Sequence, residues 1–282
     1  METARSAARL RELLRPQRAG RVVGLVPTMG ALHDGHLSLI RLARERSDVV
    51  VVSIFVNPLQ FGTGEDFESY PRDHARDLGL AEAEKVDVVF LPDMDEMYPE
   101  GDSTRVSAGT LGEVLEGEAR PGHFDGVCTV VAKLFNIVGP DLAFFGQKDA
   151  QQVAVIRRMV VDLRWPIEIV VGAIVREPDG LAMSSRNAYL SPEERKRASV
   201  LHAALRAGRE ALVSGEGMEK AEAEMIETVR AVEGVVPEYA RAVDPDDFGS
   251  PRTGRPVLLA VAARVGPARL IDNVMVDAEE VG

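Results

Sequence analysis

The sequence predicts an α/β protein, built as a doubly wound, mostly parallel, Rossmann-like sheet followed by a second, smaller α+β domain. Three observations lead there. Short runs rich in Val, Ile and Phe alternate with longer amphipathic stretches through the first part of the chain, which is the pattern of βαβ units. Two of these runs, within 49–56 and 86–91, are almost continuously apolar, as in strands covered by helices on both faces. After residue 175 a polar, turn-rich segment intervenes, and helices then separate from strands.

The opening METARSAARLRELLR reads as a helix. It is Arg-rich but contains Glu2 and Glu12 and lacks an apolar signal core. Strands are expected at 21–26, 48–56, 86–91, more weakly at 104–107, then at 142–145 and 167–171. Helices near 36–46, 72–85, 124–138 and 149–163 would pack over that sheet. Beyond the turn-rich segment, Ser191 precedes Pro192 at the first position of a helix. Helices over 192–213 and 217–233 then lead into strands at 238–243, 257–265 and 269–276. The expected domains are 1–174, Rossmann-like and nucleotide-binding, and 175–282, a smaller lid. Ligands of open parallel sheets bind beyond the carboxyl ends of the strands, so the first domain supplies the main pocket and the second a cover.

Composition narrows the function. The chain has 282 residues, 45% apolar and 28% charged, which is ordinary globular usage. Lys and Arg number 33 against 45 Asp and Glu, and a net charge of -12 repels a nucleic-acid backbone. No nucleic acid partner is expected. The single cysteine, Cys128, can form no intrachain disulfide, in keeping with a reducing, cytoplasmic setting. The longest apolar run, 49–56, falls far short of the roughly 20 residues that cross a bilayer, so no membrane association is expected.

The chemistry-bearing residues collect where strands turn into helices. VPTMGALHDGHLSLI, residues 26–40, places Gly30, His33, Gly35 and His36 in such a turn. Glycines let backbone amides approach a ligand, the helix start carries unpaired N–H groups, and residues three apart share a face. Together they describe a phosphate cradle. NPLQFG, 57–62, puts Gln60 at the mouth of the same sheet, where an amide suits a hydroxyl beside a carboxylate. DLAFFGQKDAQQ, 141–152, repeats the glycine turn and adds Lys148, Asp149 and Gln152. Lys148 is a compact phosphate-binding charge, and Asp149 either accepts from a hydroxyl or caps the helix. MSSRN, 183–187, combines two hydroxyls with a guanidinium able to clamp a polyphosphate. Arg120, His123 and Lys133 form a second-rank group around another helix start. No P-loop, dinucleotide fingerprint or nucleophile elbow occurs, and metal-ligand spacing is poor. Magnesium, if a nucleotide brings it, would be held mostly by phosphates and water.

With these residues assembled, the sequence resembles the pantothenate synthetase family of the nucleotidylyltransferase superfamily. The resemblance rests on PTMGALHDGH at 27–36, SIFVNPLQFG at 53–62, YPR at 70–72, RPGHFDGV at 120–127, FFGQKDAQQ at 144–152 and MSSRN at 183–187. His33 to His36 matches the superfamily's His-x-Gly-His. The resemblance implies ATP-dependent joining of pantoate to β-alanine through a pantoyl adenylate, with AMP and pyrophosphate released, magnesium required, and a homodimer. It also implies that Met29, Gly30, Ala31, Leu32, His33, Asp34, Gly35 and His36 line the ATP site, His36 as the catalytic histidine and His33 assisting at the phosphates. Gly146, Gln147, Lys148, Asp149, Val175, Met183, Ser184, Ser185 and Arg186 would complete it. Gln60 and Gln152 would hold pantoate, Phe55 would pack on its methyl groups, and Gln60 would also reach β-alanine. Asp77 is the carboxylate offered to magnesium, although Arg76 stands where relatives often carry a second acid, and Ala150 where an aromatic is frequent. From the residues alone, two other readings stay open: an adenylyltransferase with a phosphate nucleophile, and a nucleotide-binding module without catalysis.

Overall fold

Six consecutive buried residues in Val49–Ile54, four of them valine, suit a strand with cover on both faces. In the computed structural model, which describes residues 1–281, that strand is β3 of a parallel sheet. The sheet comprises β1 (Glu2–Ala4), β2 (Val23–Thr28), β3, β4 (Val88–Phe90), β5 (Leu142–Gly146) and β6 (Glu168–Gly172), in the order β1-β4-β3-β2-β5-β6. All neighbouring pairs run parallel. The helices are α1 (Ala7–Leu14), α2 (Asp34–Arg46), α3 (His74–Ala83), α4 (Met94–Met97), α5 (Glu116–Ala119), α6 (His123–Val138) and α7 (Ala150–Asp162). On one face Leu37, Leu39, Ile40 and Ala43 of α2 pack with Val26, Val50, Val52 and Phe144. The strand order reverses between β2 and β5, so the crevice beyond their carboxyl ends is the ligand-binding position of such a sheet.

The chain divides into two compact units. One comprises Met1–Gly146 and Val155–Gly172, the other Gln147–Ala154 and Ala173–Gly282. The second contains α8 (Pro192–Ala198), α9 (Val200–Val213), α10 (Met218–Arg230) and an antiparallel sheet of β7 (Val235–Val243), β8 (Val257–Val265) and β9 (Ala268–Val276). Leu201, Leu205 and Leu212 of α9 and Met225 and Val229 of α10 share its core with Leu259, Val261 and Leu270.

Three local expectations are corrected. The first residues are not all helix: Glu2–Ala4 pair with Val88–Phe90, and the helix begins at Ala7 behind the Ser6 cap. Edge pairing with β4 overrides local helix preference here. Residues 104–107 form no strand, because Val106 N–H donates to Thr129 Oγ1 at 3.0 Å and Ala108 N–H to Asp125 Oδ1 at 2.7 Å. Side chains of α6 thus satisfy the backbone that a ladder would have paired. The helix expected over 192–213 is interrupted at Ser199, whose hydroxyl donates to the Lys196 carbonyl at 2.8 Å.

Candidate active site

The turn after β2 is held open by its own backbone partners. Thr28 Oγ1 donates to the Ser53 carbonyl at 2.8 Å and accepts from Gly30 N–H at 3.2 Å. Gly30 has φ +86°, and a side chain there would meet the Asp77 carboxylate at 2.9 Å, so glycine is required on both counts. Ala31 follows at φ 49°. Asp77, fully buried on α3, accepts from Ala31 N–H at 2.9 Å and Leu32 N–H at 2.8 Å. Arg76, next to it, donates to the Leu32 carbonyl at 2.9 Å. Asp77 therefore anchors the 30–32 turn.

The two histidines form a reciprocal cap on α2. His33 Nδ1 accepts from Gly35 N–H at 3.2 Å, and His36 Nδ1 accepts from His33 N–H at 3.4 Å. Their ring centroids are 4.1 Å apart. A neutral imidazole whose Nδ1 accepts carries its proton on Nε2. Each ring is thereby a Nε2–H donor at a helix start, where the macrodipole favours an anion. Asp34 and Gly35 are the first residues of that helix.

Gln60 lies on the 3-10 turn Pro58–Gln60. Its Oε1 accepts from Asn57 Nδ2 at 3.1 Å, and its Nε2 stands 2.9 Å from Met29 Sδ, so Met29 and Gln60 are brought together. Asn57, 1% exposed, also donates to the Gly126 carbonyl at 3.1 Å and accepts from the Tyr98 hydroxyl at 2.7 Å. Phe55 is buried, with its ring 6.0 Å from that of Tyr98. A side chain at Gly126 would come 2.1 Å from the Leu59 carbonyl oxygen, so α6 and the glutamine turn meet backbone to backbone.

The main-chain carbonyl of Gln60 is gripped as well. Arg120 donates to it at 3.1 Å, and His123 Nδ1–H at 2.7 Å. Arg120 also pairs with Glu65 at 2.6 and 2.8 Å and faces His123 Nε2 at 3.1 Å. A guanidinium only donates, so His123 Nε2 accepts and the ring is neutral. Burial, aided by the Arg120 charge, takes the His123 pKa down to about 4. Burial works against ionisation of Glu65, yet its bonds to Arg120 hold its pKa below the usual value. Lys133 is occupied elsewhere: it pairs with Asp102 and lies 4.6 Å from the centre of the Tyr98 ring.

In the second unit, Gln147, Lys148 and Asp149 form a 3-10 turn at the start of α7; Gly146 ends β5 in the first. Lys148 Nζ is 3.3 Å from Asp149 Oδ1, and Gln152 is half-buried on α7. The stretch 175–183 is a tight hairpin, closed by Met183 N–H on the Val175 carbonyl at 2.9 Å. Ser184 caps the following turn, Ser185–Tyr189, accepting from Arg186 N–H at 3.3 Å. Asn187 Nδ2 donates to the Ala182 carbonyl at 3.1 Å.

Sequence reasoning passed over Asn57, Tyr98, Glu65 and the pair Asp272–Asn273. Asn57 sits inside the NPLQFG motif, but burial, the property that makes it a hub, has no local sequence signal. Among the described residues no group of three His, Cys, Asp or Glu side chains is placed to hold a metal ion, and no helix is long and apolar enough to cross a membrane.

Comparison with known proteins gives a consistent outcome. The model of the pantoate-beta-alanine ligase family matches residues 2–275. The pantothenate synthetase of Acetivibrio thermocellus is 52% identical over 281 residues, covering 98% of this chain and 100% of the relative. The crystal structure of pantothenate synthetase from Thermus thermophilus superposes with a TM-score of 0.92 at 49% identity, over 97% of this chain and 99% of that one. The Francisella tularensis pantoate-beta-alanine ligase, solved with a β,γ ATP ligand and β-alanine, gives 0.82 at 34% identity over 100% and 99%.

Proposed function

The chain belongs to the pantoate–β-alanine ligase family, and from that premise we propose how its own residues carry the reaction. It is a ligase that uses ATP to join pantoate to β-alanine. In the first proposed step a pantoate carboxylate oxygen attacks the α-phosphorus of ATP, the bond to the bridging oxygen breaks, and pyrophosphate leaves with the electron pair. In the second, the amine of β-alanine attacks the acyl carbon of the pantoyl adenylate; AMP departs and the new amide nitrogen sheds a proton.

The first step brings two anions together, so positioning and charge neutralisation dominate. The Nε2–H groups of His33 and His36 would meet phosphate oxygens at the start of α2, with His36 at the reacting phosphorus. Lys148, Ser184, Ser185 and Arg186 would supply the remaining donors. Gln60, its amide set by Asn57 and Met29, would hold pantoate with Gln152, Phe55 packing on its methyl groups. Magnesium would arrive on the triphosphate and lower its charge. In this proposal Asp77 stays a loop anchor, since its carboxylate already accepts two backbone N–H groups. We further propose a boundary near residue 175, with 175–282 as a lid, and a cytoplasmic homodimer; burial pushes the Cys128 thiol up to about 12, the state of an inert thiol.

The observation that supports the reading is the reciprocal histidine cap, in which both Nδ1 atoms accept backbone N–H groups at the start of the helix that follows β2. Mass analysis of incubations with ATP, magnesium and pantoate tests it. Pantoyl adenylate and pyrophosphate are expected without β-alanine, and pantothenate and AMP with it. Formation of ADP in place of AMP would refute the adenylate route.

A further inference from the structure

Strand β9 carries a buried polar pair, Asp272 and Asn273, 2% and 3% exposed, outside every motif on which the resemblance rests. Asn273 uses all of its side-chain polar atoms on one turn. Its Nδ2 donates to the Gln147 carbonyl at 3.0 Å and the Lys148 carbonyl at 2.9 Å, while its Oδ1 accepts from Gln147 Nε2 at 3.1 Å. The backbone N–H of Asn273 donates to Asp272 Oδ1 at 2.8 Å. Asp272 takes both arms of the Arg176 guanidinium, at 2.6 and 3.0 Å. That guanidinium also donates to the Gly180 carbonyl at 2.9 Å and the Asn273 carbonyl at 3.3 Å.

A buried amide is costly unless fully bonded, and an apolar side chain would fill a strand position without that requirement. Here the amide chelates two consecutive carbonyls, which fixes the peptide planes on both sides of Lys148. We propose that Asn273 is a positioning residue for Lys148: it holds the 147–149 turn in the orientation that presents the ammonium to phosphate. Asp272 and Arg176 tie the same strand to the hairpin that leads into Ser184–Arg186, so one two-residue segment sets both cationic elements of the second unit. The inference rests on the reading of Lys148 as a phosphate-binding group.

A double-variant cycle separates positioning from plain stability. Steady-state and single-turnover kinetics would be measured for wild type, Asn273→Ala, Lys148→Ala and the double variant, each checked for folding by circular dichroism. Asn273→Ala is expected to raise KM for ATP or slow adenylate formation by about 10- to 100-fold while leaving KM for β-alanine in place. In the Lys148→Ala background the same change should cost less than about twofold, because coupled residues do not add. Multiplicative losses, or unchanged ATP kinetics in a folded Asn273→Ala, would overturn the assignment. Wild-type activity in Lys148→Ala would overturn it too, and would mark the lysine reading as the part that failed. If Asn273→Ala does not fold, Gln147→Leu, which strips the bond from Oδ1, enters the same cycle with the same expected and refuting outcomes.

Discussion

His33 and His36 each serve the fold through Nδ1, and the proposed reaction draws on Nε2. Because the Nδ1 atoms cap α2, removing a ring deletes a cap together with the proposed phosphate donor. His36→Ala is expected to lower single-turnover adenylate formation about 100- to 1,000-fold, the cost of one preorganised donor, with a native circular dichroism spectrum. Formation at the wild-type rate would rule out the role. His123 acts on stability instead. Its folded-state pKa of about 4 lies below the usual 6.5, so between those values the unfolded chain binds the extra proton. The contribution is complete above pH 6.5 and is lost as pH falls toward 4; Glu65, held below 4.5, extends the loss in the same direction at lower pH. The urea midpoint should therefore drop between about pH 7 and about pH 4.5, less steeply in His123→Gln. That the two imidazoles meet at a helix start was legible in sequence, because spacing and placement after a strand suffice to mark it. His123 was only partly so and Asn57 not at all, since their importance comes from burial against residues dozens of positions away.

At the scale of elements, continuous apolar runs made β3 and β4 readable, and Ser191 with Pro192 announced α8. Short edge pieces gave no such signal: β1 spans three residues and exists because Glu2 N–H finds the Asp87 carbonyl at 2.9 Å. Residues 104–107 misled for the converse reason, their donors going to Thr129 and Asp125 rather than to a neighbouring strand. In the Ser184–Tyr189 stretch Ser184 caps the turn and Asn187 donates to the Ala182 carbonyl; this is the segment proposed to enclose a hydrolysable anhydride. ATP with pantoate is expected to protect it from limited proteolysis, ATP alone less so. Equal cleavage with and without ligands would dismiss closure.

For the whole molecule, the alternation of apolar runs with amphipathic stretches, and its change after residue 175, sufficed to predict a parallel sheet and then a smaller α+β unit, because layer architecture follows from which faces must be covered. Association between chains has no comparable signature in the sequence. Sedimentation equilibrium at micromolar concentration is expected to return the mass of a dimer, and a monomer would retire that proposal. The contact between Gly126 and the Leu59 carbonyl bears on redesign. With no side chain interposed, the floor under Gln60 has no compliant layer, and even a methyl group at 126 would lift the glutamine. In the proposed pantoate site, room for bulkier hydroxy acids would therefore have to be opened from the Phe55 side, with the helix beneath left untouched.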